Sequence, residues 1–300
     1  MLSIIICSTQ PDISDSLKKN IKETIGVDYE LILIDNSKKQ HTIFSAYNLG
    51  INKSKYTYIC LMHQDVFFHS ENWGLTVCEH LKDKNCGLIG VSGGTTVPRI
   101  PSPWSFYEIT GFLLQSDKNV TIPELQISGD FNDKNFKNVI TLDGVFLCAR
   151  KELFKNIGFD EIVFKGFHCY DIDICLQSHF EGFQNRVVNN ILLEHRSKGK
   201  LDRQWVENSM LLCDKWRKML PLSISEISDD LLEKREIKFM TRNFVKIMIR
   251  ASYNNKEIKN CIYKYLGHIK KTRTRIFRIS LSIRILTIRF IKKPSSLFYP

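Results

Sequence analysis

Short apolar runs alternate with segments of helical pattern through residues 1–91, and this alternation limits the possible folds more than any other feature of the sequence. The strand-like runs lie at 3–7, 30–35, 56–62 and 87–91. The segments with helical spacing between them lie at 11–25, 43–52 and 72–82. Strand–helix–strand units of this length predict an α/β fold with a mostly parallel central sheet and helices on both faces.

The rest of the chain gives a less regular pattern. Residues 92–105 hold three prolines and two adjacent glycines, which predict a long loop. The elements predicted after this loop are a strand at 139–150, a short helix at 151–156, a helix at 171–181 and a strand at 187–193. Mixed apolar and charged stretches from residue 201 onward predict helices, with a break at Pro221.

Composition places the chain among ordinary globular proteins. The apolar fraction is 43% and the charged fraction 25%, and no apolar run reaches the ~18 residues of a membrane-spanning helix. Residues 1–7 predict a buried strand rather than a signal peptide, so we expect a cytoplasmic protein. The nine cysteines contain no Cys-x-x-Cys pair, which favours buried free thiols over disulfides or structural zinc.

The net charge of +11 is concentrated at the C-terminal end. Residues 258–300 hold eleven Lys or Arg and no Asp or Glu, which leaves 32 basic and 32 acidic residues in 1–257. A neutral body gives no support to nucleic-acid binding, and none is expected. The basic, apolar segment at 270–293 predicts peripheral contact with an anionic membrane surface. A helix packed on the main domain, or a homodimer contact, is the alternative.

Carboxylates lie at the end of one predicted strand and shortly after the end of the next. Asp35 closes the second strand, and Asp65 comes three residues after the third. Because the carboxyl ends of parallel strands meet at one edge of the sheet, both acids are expected in the ligand crevice. A divalent cation such as Mn²⁺ or Mg²⁺ could be held in this crevice. For either acid alone, a role in ending the strand or capping a helix is the competing interpretation.

Two further positions could carry chemistry. Asp171 and Asp173 open a predicted helix, where they either stabilise the helix dipole or, for one of them, serve as a general base. His195 follows a strand and precedes the polar residues 196–199. An imidazole beside a carboxylate suits Mn²⁺, although an isolated histidine is more often structural.

Together these motifs resemble family 2 glycosyltransferases with the GT-A fold, particularly a bacterial glycosyltransferase-like subgroup. The most specific stretches are GVFLCARKELF at 144–154, GFDE at 158–161 and YDIDICL at 170–176. The segments ILIDNS at 32–37 and AYNLGI at 46–51 also look like the family's nucleotide-binding half. The resemblance covers about residues 1–200. It implies a nucleotide-binding half at 1–92, an acceptor and catalytic half at 93–200, and a helical basic extension at 201–300.

The resemblance also implies roles for individual residues. Contacts to the donor fall to Cys7, Ser8, Thr9, Asp35, Asn48, Gln64, Asp65, Asp143 and Gly144. Asp65 matches the last acid of the metal-binding D-x-D motif and would bind the metal with His195, while Asp171 matches the catalytic base. Supporting roles are open to His63, Tyr170, Asp173 and Ser197.

The activity implied is inverting transfer of a sugar from a nucleotide sugar, by default a UDP-sugar, to a hydroxyl of a glycan or lipid-linked acceptor in surface polysaccharide or glycolipid synthesis. Two positions depart from the family pattern: His63 replaces the first acid of D-x-D, and Tyr170 replaces the acid before the base. A catalytically degenerate GT-A binding protein therefore stays open. A nucleotidyltransferase is a second alternative, but residues 7–11 lack a glycine-rich, basic phosphate loop.

Overall fold

The computed structural model describes residues 1–116, 124–129, 131, 135–197 and 199–267. Most of the predicted basic segment at 258–300 lies outside these ranges. Among the described residues, no helix has both the length and the apolar character needed to cross a bilayer.

The described residues form fifteen strands and eight α-helices. The strands are β1 (Leu2–Ser8), β2 (Tyr29–Asp35), β3 (Tyr58–Met62), β4 (Val66–Phe68), β5 (Cys86–Gly90), β6 (Ser92–Gly94), β7 (Thr96–Val97), β8 (Ile109–Gln115), β9 (Glu124–Ser128), β10 (Phe136–Val139), β11 (Thr141–Leu142), β12 (Phe146–Arg150), β13 (Gln184–Val188), β14 (Leu193–His195) and β15 (Leu222–Ser223). The helices are α1 (Asp15–Thr24), α2 (Ile43–Lys53), α3 (Trp73–Lys82), α4 (Tyr170–Phe180), α5 (Arg203–Lys215), α6 (Asp229–Phe239), α7 (Val245–Arg250) and α8 (Asn255–Leu266). A 3-10 helix covers Lys151–Lys155, and a π-helical turn at Met240–Phe244 joins α6 to α7.

Every predicted element of residues 1–91 is present. The first helix starts later than expected, at Asp15, because the Ser14 hydroxyl accepts the Leu17 N–H at 3.2 Å and caps it. Such a cap contributes about 1 kcal/mol. The helices predicted at 151–156 and 171–181 are also confirmed, the first as a 3-10 helix.

Three predictions from the second half are wrong in detail. The loop at 92–105 contains β6 and β7, because its glycines permit strand pairing: a Cβ on Gly93 would lie 2.3 Å from the Thr141 carbonyl oxygen of β11. The strand at 139–150 is divided into β10, β11 and β12, and the strand at 187–193 into β13 and β14. In each case the chain passes from one sheet to another, which apolar patterning does not reveal.

The central sheet has seven strands in the order β10-β13-β5-β12-β3-β1-β2. Pairing is parallel between β1 and its neighbours β2 and β3, and between β5 and β13. However, β12 runs antiparallel between β3 and β5, and β10 is antiparallel to β13. The sheet is therefore mixed, with the predicted parallel order confined to the βα units.

Alternate side chains of the central strands enter two different cores. Ile5 of β1 packs with α2 and α4 on one face, whereas Ile4 and Ile6 pack with α1 and α3 on the other. Burying an isoleucine of this kind contributes about 2 kcal/mol. These opposed cores fix the position of each strand end, where the polar residues lie.

A second sheet lies against the central one. Its order is β11-β6-β8-β14-β4, with β9 paired to β8. The chain enters it after β3, β5, β10 and β13 and returns to the central sheet at β5, β10 and β12. The junction therefore gathers residues from distant parts of the chain.

The helices after residue 200 are attached to the rest of the protein by specific contacts. Within the described residues, α5 to α8 share a third core that includes Trp205, Phe244 and Ile258. Strand β15 pairs antiparallel with β7, and the fully buried Glu236 carboxylate accepts the Arg99 backbone N–H at 2.7 Å. A domain boundary at residue 200 is thus crossed by both strand pairing and side-chain contacts.

Candidate active site

The junction between the two sheets encloses a cavity of about 700 Å³. Asp65, just after β3, and Asp171, in the first turn of α4, both line it. The two acids on which the sequence interpretation depends therefore share one pocket.

Three residues in this cavity could hold a metal ion: His63, Asp65 and His195. Antiparallel pairing of β14 with β4 sets His195 opposite Val66, and the Arg196 N–H donates to the Asp65 carbonyl oxygen at 2.9 Å. The Nε2 atom of His195 lies 3.7 Å from Oδ1 of Asp65 and 3.5 Å from Nδ1 of His63. One ligand atom from each residue falls within 4.8 Å of the others.

The chemistry of this donor set fits a divalent metal. Two imidazoles and one carboxylate suit first-row metals such as Mn²⁺. Burial lowers the pKa of His63 to about 4, and the neighbouring His195 acts in the same direction. The His63 ring is therefore neutral near pH 7, as metal binding requires.

Tyr170 connects the His63 ring to the opposite wall of the cavity. Its hydroxyl lies 2.7 Å from Nε2 of His63 and donates to the Gly144 carbonyl oxygen at 3.0 Å. Gly144 is close to the tyrosine: a Cβ added there would meet the hydroxyl at 2.2 Å. Position 144 therefore accepts only glycine while this contact exists.

Asp171 is held at the cavity wall by backbone donors. Its Oδ2 accepts the Gly144 N–H at 3.2 Å and its Oδ1 accepts the Ile172 N–H at 2.9 Å. Burial, followed by repulsion from Asp143, raises the pKa of Asp171 to about 7. Burial also raises the pKa of Asp143, whose Oδ1 accepts the Val145 N–H at 3.1 Å. A carboxyl with a pKa near 7 is suited to exchange a proton at neutral pH.

Gln64 joins the end of β1 to the loop that carries His63 and Asp65. Its side-chain oxygen accepts the Ser8 hydroxyl at 2.9 Å and the Thr9 N–H at 2.8 Å, and its Nε2 donates to the Thr9 hydroxyl at 2.8 Å. Cys7, Thr9 and Gln64 line the cavity. Burial raises the pKa of the Cys7 thiol, so it is present as the neutral group.

Four of the predicted donor contacts lie outside the cavity lining: Ser8, Asp35, Asn48 and Gly144. Asp35 is exposed at the end of β2, opposite Ser8 in the strand register, and its Oδ1 accepts the Ser37 N–H. Asn48 uses both ends of its amide on Phe159: Nδ2 donates to the carbonyl oxygen at 2.8 Å and Oδ1 accepts the N–H at 3.1 Å. The donor roles of all four residues stay predictions.

Asp173 is directed away from the cavity and is almost fully buried, with 1% of its side chain exposed. Its Oδ1 accepts the Trp216 indole N–H at 2.8 Å and pairs with Lys215 at 2.9 Å, while Oδ2 accepts the Gln177 amide at 2.8 Å. Within the structure, this carboxylate links α4 to the end of α5.

The remaining cavity residues include one that the sequence predicted and several for which it gave no readable signal. Ser197, one of the predicted supporting residues, is present, with its hydroxyl 3.3 Å from Nε2 of His195. Gln115 at the end of β8 contacts the segment after β14 by donating to the Ser197 carbonyl oxygen at 2.6 Å. Trp104 and the 46%-exposed Phe167 also line the cavity.

Comparison with known proteins gives a family and a fold. A sequence profile described as a glycosyltransferase-like family matches residues 3–214. The structure of GalNAc-T7 with UDP, GalNAc and Mn²⁺ aligns with a TM-score of 0.50 and 10% identity, over 88% of this chain and 54% of that one. This chain therefore spans about half the length of that protein.

A second solved structure is similar over more of its length. S. aureus TarS 1–349 in complex with UDP-GlcNAc aligns with a TM-score of 0.50 and 9% identity, over 90% of this chain and 81% of that one. No curated protein matches by sequence. At these identities the structural likeness concerns the fold alone.

Proposed function

The chain belongs to the glycosyltransferase-like family, and on this premise we propose that it transfers a sugar from a nucleotide-sugar donor to an acceptor hydroxyl, with inversion at the anomeric carbon. Its fold is the GT-A fold, as predicted from the sequence. The observation that carries the proposal is the meeting of Asp171 with His63, Asp65 and His195 in one cavity of about 700 Å³.

The donor side of the cavity lies at the end of β1 and β3. Cys7, Thr9 and Gln64 form its wall, and a UDP-sugar is the donor that we propose, since the similar solved structures contain UDP or UDP-GlcNAc. His63, Asp65 and His195 would hold a divalent ion, Mn²⁺ or Mg²⁺. Such an ion, when bound, offsets the negative charge of a departing nucleoside diphosphate.

Asp171 is the proposed general base. It takes the proton of the acceptor hydroxyl, whose oxygen bonds to the anomeric carbon while the bond from that carbon to the phosphate oxygen breaks. The leaving nucleoside diphosphate keeps the electron pair, so one displacement inverts the configuration. The Gly144 N–H fixes one carboxylate oxygen, which orients the base toward the cavity.

The acceptor is proposed to be a glycan or a lipid-linked sugar in surface polysaccharide or glycolipid synthesis. The exposed ring of Phe167 and the partly buried Trp104 offer apolar faces on which a sugar could stack. Contact of residues 258–300 with an anionic membrane is part of the same proposal and has the charge of that segment as its support.

The test is a transfer assay over a panel of nucleotide sugars with Mn²⁺ present. Replacing Asp171 with Asn should lower transfer by about 10³-fold, while UDP binding measured by calorimetry is retained. Asp15→Asn, a fully exposed carboxylate on α1, serves as the control and should transfer like the wild type. Wild-type turnover in D171N would reject the assignment of the base.

A catalytically inactive binding protein is the second candidate. It is favoured by His63 and Tyr170, which occupy positions where the family pattern has acids. The same panel separates the two functions, because this candidate requires nucleotide-sugar binding by the wild type without any transfer or hydrolysis.

A further inference from the structure

The two positions that depart from the family pattern are in direct contact. His63 and Tyr170 are 107 residues apart in sequence, yet Nε2 of His63 lies 2.7 Å from the Tyr170 hydroxyl. Considered separately, each substitution removes an acid from the site. Their contact gives a different explanation for both.

The hydrogen bonds around Tyr170 have a defined direction. A carbonyl oxygen can only accept, so the bond of 3.0 Å to Gly144 uses the one proton of the tyrosine hydroxyl. Toward His63 the same hydroxyl must accept, and the proton of that bond belongs to Nε2. A neutral imidazole with its proton on Nε2 has its lone pair on Nδ1. That Nδ1 atom lies 3.5 Å from Nε2 of His195.

We propose that Tyr170 is a positioning residue that fixes the orientation and the tautomer of His63, so that the Nδ1 lone pair points into the metal site. His63 and Tyr170 then act as one unit, in which an imidazole ligand and its hydrogen-bond partner replace two acids. This inference rests on the metal-binding part of the proposed function.

The surroundings of Tyr170 leave its hydroxyl little freedom. The residue is 3% exposed, and the rings of Tyr47, Phe167 and Phe44 lie 5.6, 5.7 and 6.4 Å from its ring. Gly144 provides the space that the hydroxyl occupies. Partners that fix a metal-bound histidine in this way typically change metal affinity by 10- to 100-fold when they are removed.

Replacing Tyr170 with Phe is the primary test, because it removes the hydroxyl and keeps the ring. Mn²⁺ affinity, measured on the full chain by calorimetry and by electron paramagnetic resonance, should fall about 10- to 100-fold. Tyr265→Phe is the matched control: it removes a buried tyrosine hydroxyl that donates to the Met210 carbonyl oxygen at 3.2 Å, in the third core and outside the cavity lining. Its Mn²⁺ affinity should stay within about twofold of the wild type. Equal affinity of Y170F and wild type would overturn the proposal.

A second measurement reads the tautomer directly. In the metal-free protein labelled with ¹⁵N-histidine, two-bond ¹H–¹⁵N spectra should show His63 protonated at Nε2. In Y170F the same ring should show a mixture of the two tautomers. Protonation of His63 at Nδ1 in the wild type would contradict the proposed hydrogen-bond direction.

A double-mutant cycle with His63→Ala separates positioning from a structural role. If Tyr170 acts through His63, Y170F should change Mn²⁺ affinity by less than twofold in the H63A background. A full 10- to 100-fold loss in that background means that Tyr170 acts independently of His63 and rejects the inference.

These outcomes are distinguishable from failure of the proposed function. If the wild type transfers sugar and Y170F binds Mn²⁺ as tightly as the wild type, only the positioning role of Tyr170 is rejected. Absence of Mn²⁺ binding in the wild type removes the metal site and this inference with it, whereas the transfer assay still decides the proposed activity.

Discussion

The first turn of α4 has two sides, and each carries one aspartate with a different environment. Asp171 faces the cavity, where burial and Asp143 raise its pKa to about 7. Asp173, two residues later, faces the core and pairs with Lys215 and Trp216. Two acids in one motif can therefore have different roles, one in catalysis and the other in stabilising the fold. Burial raises the pKa of both carboxyls, but only on the core side do Lys215 and Trp216 counteract it by binding the carboxylate and so tie two helices together.

The largest predicted effect on stability belongs to the core side. Asp173→Ala leaves Lys215 and the Trp216 indole without their buried acceptor and should destabilise the protein by about 3 kcal/mol. The estimate is at the lower end of the usual range because the Lys215 side chain is 25% exposed. Thermal or urea unfolding measures the loss. Asp173→Asn, which keeps an oxygen acceptor for Trp216, is the control and should lose less.

An Asp173→Ala variant as stable as the wild type would show that Asp173 does not stabilise the fold, and the proposed difference between the two sides would be rejected. Transfer activity per folded molecule is the complementary measurement. It should change little in Asp173→Asn, because the side chain lies outside the cavity lining.

The next effect is a dependence of activity on pH. A base whose pKa is about 7 is mostly protonated at pH 6 and mostly ionised at pH 8. The rate of transfer at saturating substrate should therefore rise by about tenfold between these values, a difference of about 1.4 kcal/mol, and level off above them. A rate that falls through this window would assign proton transfer to a different group.

The smallest expected effect is a change in stability, and its sign is opposite to that expected for Asp173→Ala. Because the folded state raises the pKa of Asp171 above its unfolded value, the unfolded chain releases this proton at lower pH than the folded protein does. The stability that the neutral carboxyl provides is thus complete below pH 4 and is lost as the pH rises to about 7. Asp171→Asn stays neutral, so at pH 7 it should be more stable than the wild type by about 1 kcal/mol, allowing for partial solvent exposure.

Thermal unfolding of D171N and the wild type at pH 4 and pH 7 tests this sign. The difference in melting temperature should be near zero at pH 4 and positive at pH 7. A variant destabilised at both values would show that Asp171 supports the fold as Asp173 does.

The sequence predicted the first half of the fold well and the second half only in part. In residues 1–91, α1 follows β1, α2 follows β2, and α3 follows β3 and β4, so local periodicity was sufficient. Between 92 and 195 the chain moves repeatedly between two sheets, and its short strands pair with distant partners such as β11 with β6. Adjacent glycines therefore predicted a loop, although here they permit close pairing of strands.

The residues of the candidate site, like the fold, could be predicted from the sequence only in part. The acid at position 65, the acid at position 171 and His195 could be selected because each follows a strand or opens a helix, where ligands collect. The hydrogen bonds of Asn48 to Phe159, and of Asp173 to Trp216, could not be predicted from spacing. Both residues belong to family-like motifs, but only their neighbours in space show what they contact.

By itself, the sequence determined the α/β pattern, the family resemblance and which side chains are able to bind a metal or accept a proton. These features can be predicted because the periodicity of a strand or helix, and the residues at its ends, depend on positions close together in the sequence. Only the tertiary structure decided which of the two acids in the first turn of α4 faces the cavity and that His63 meets Tyr170. These contacts join residues 27 to 107 positions apart, and long-range packing alone brings them together.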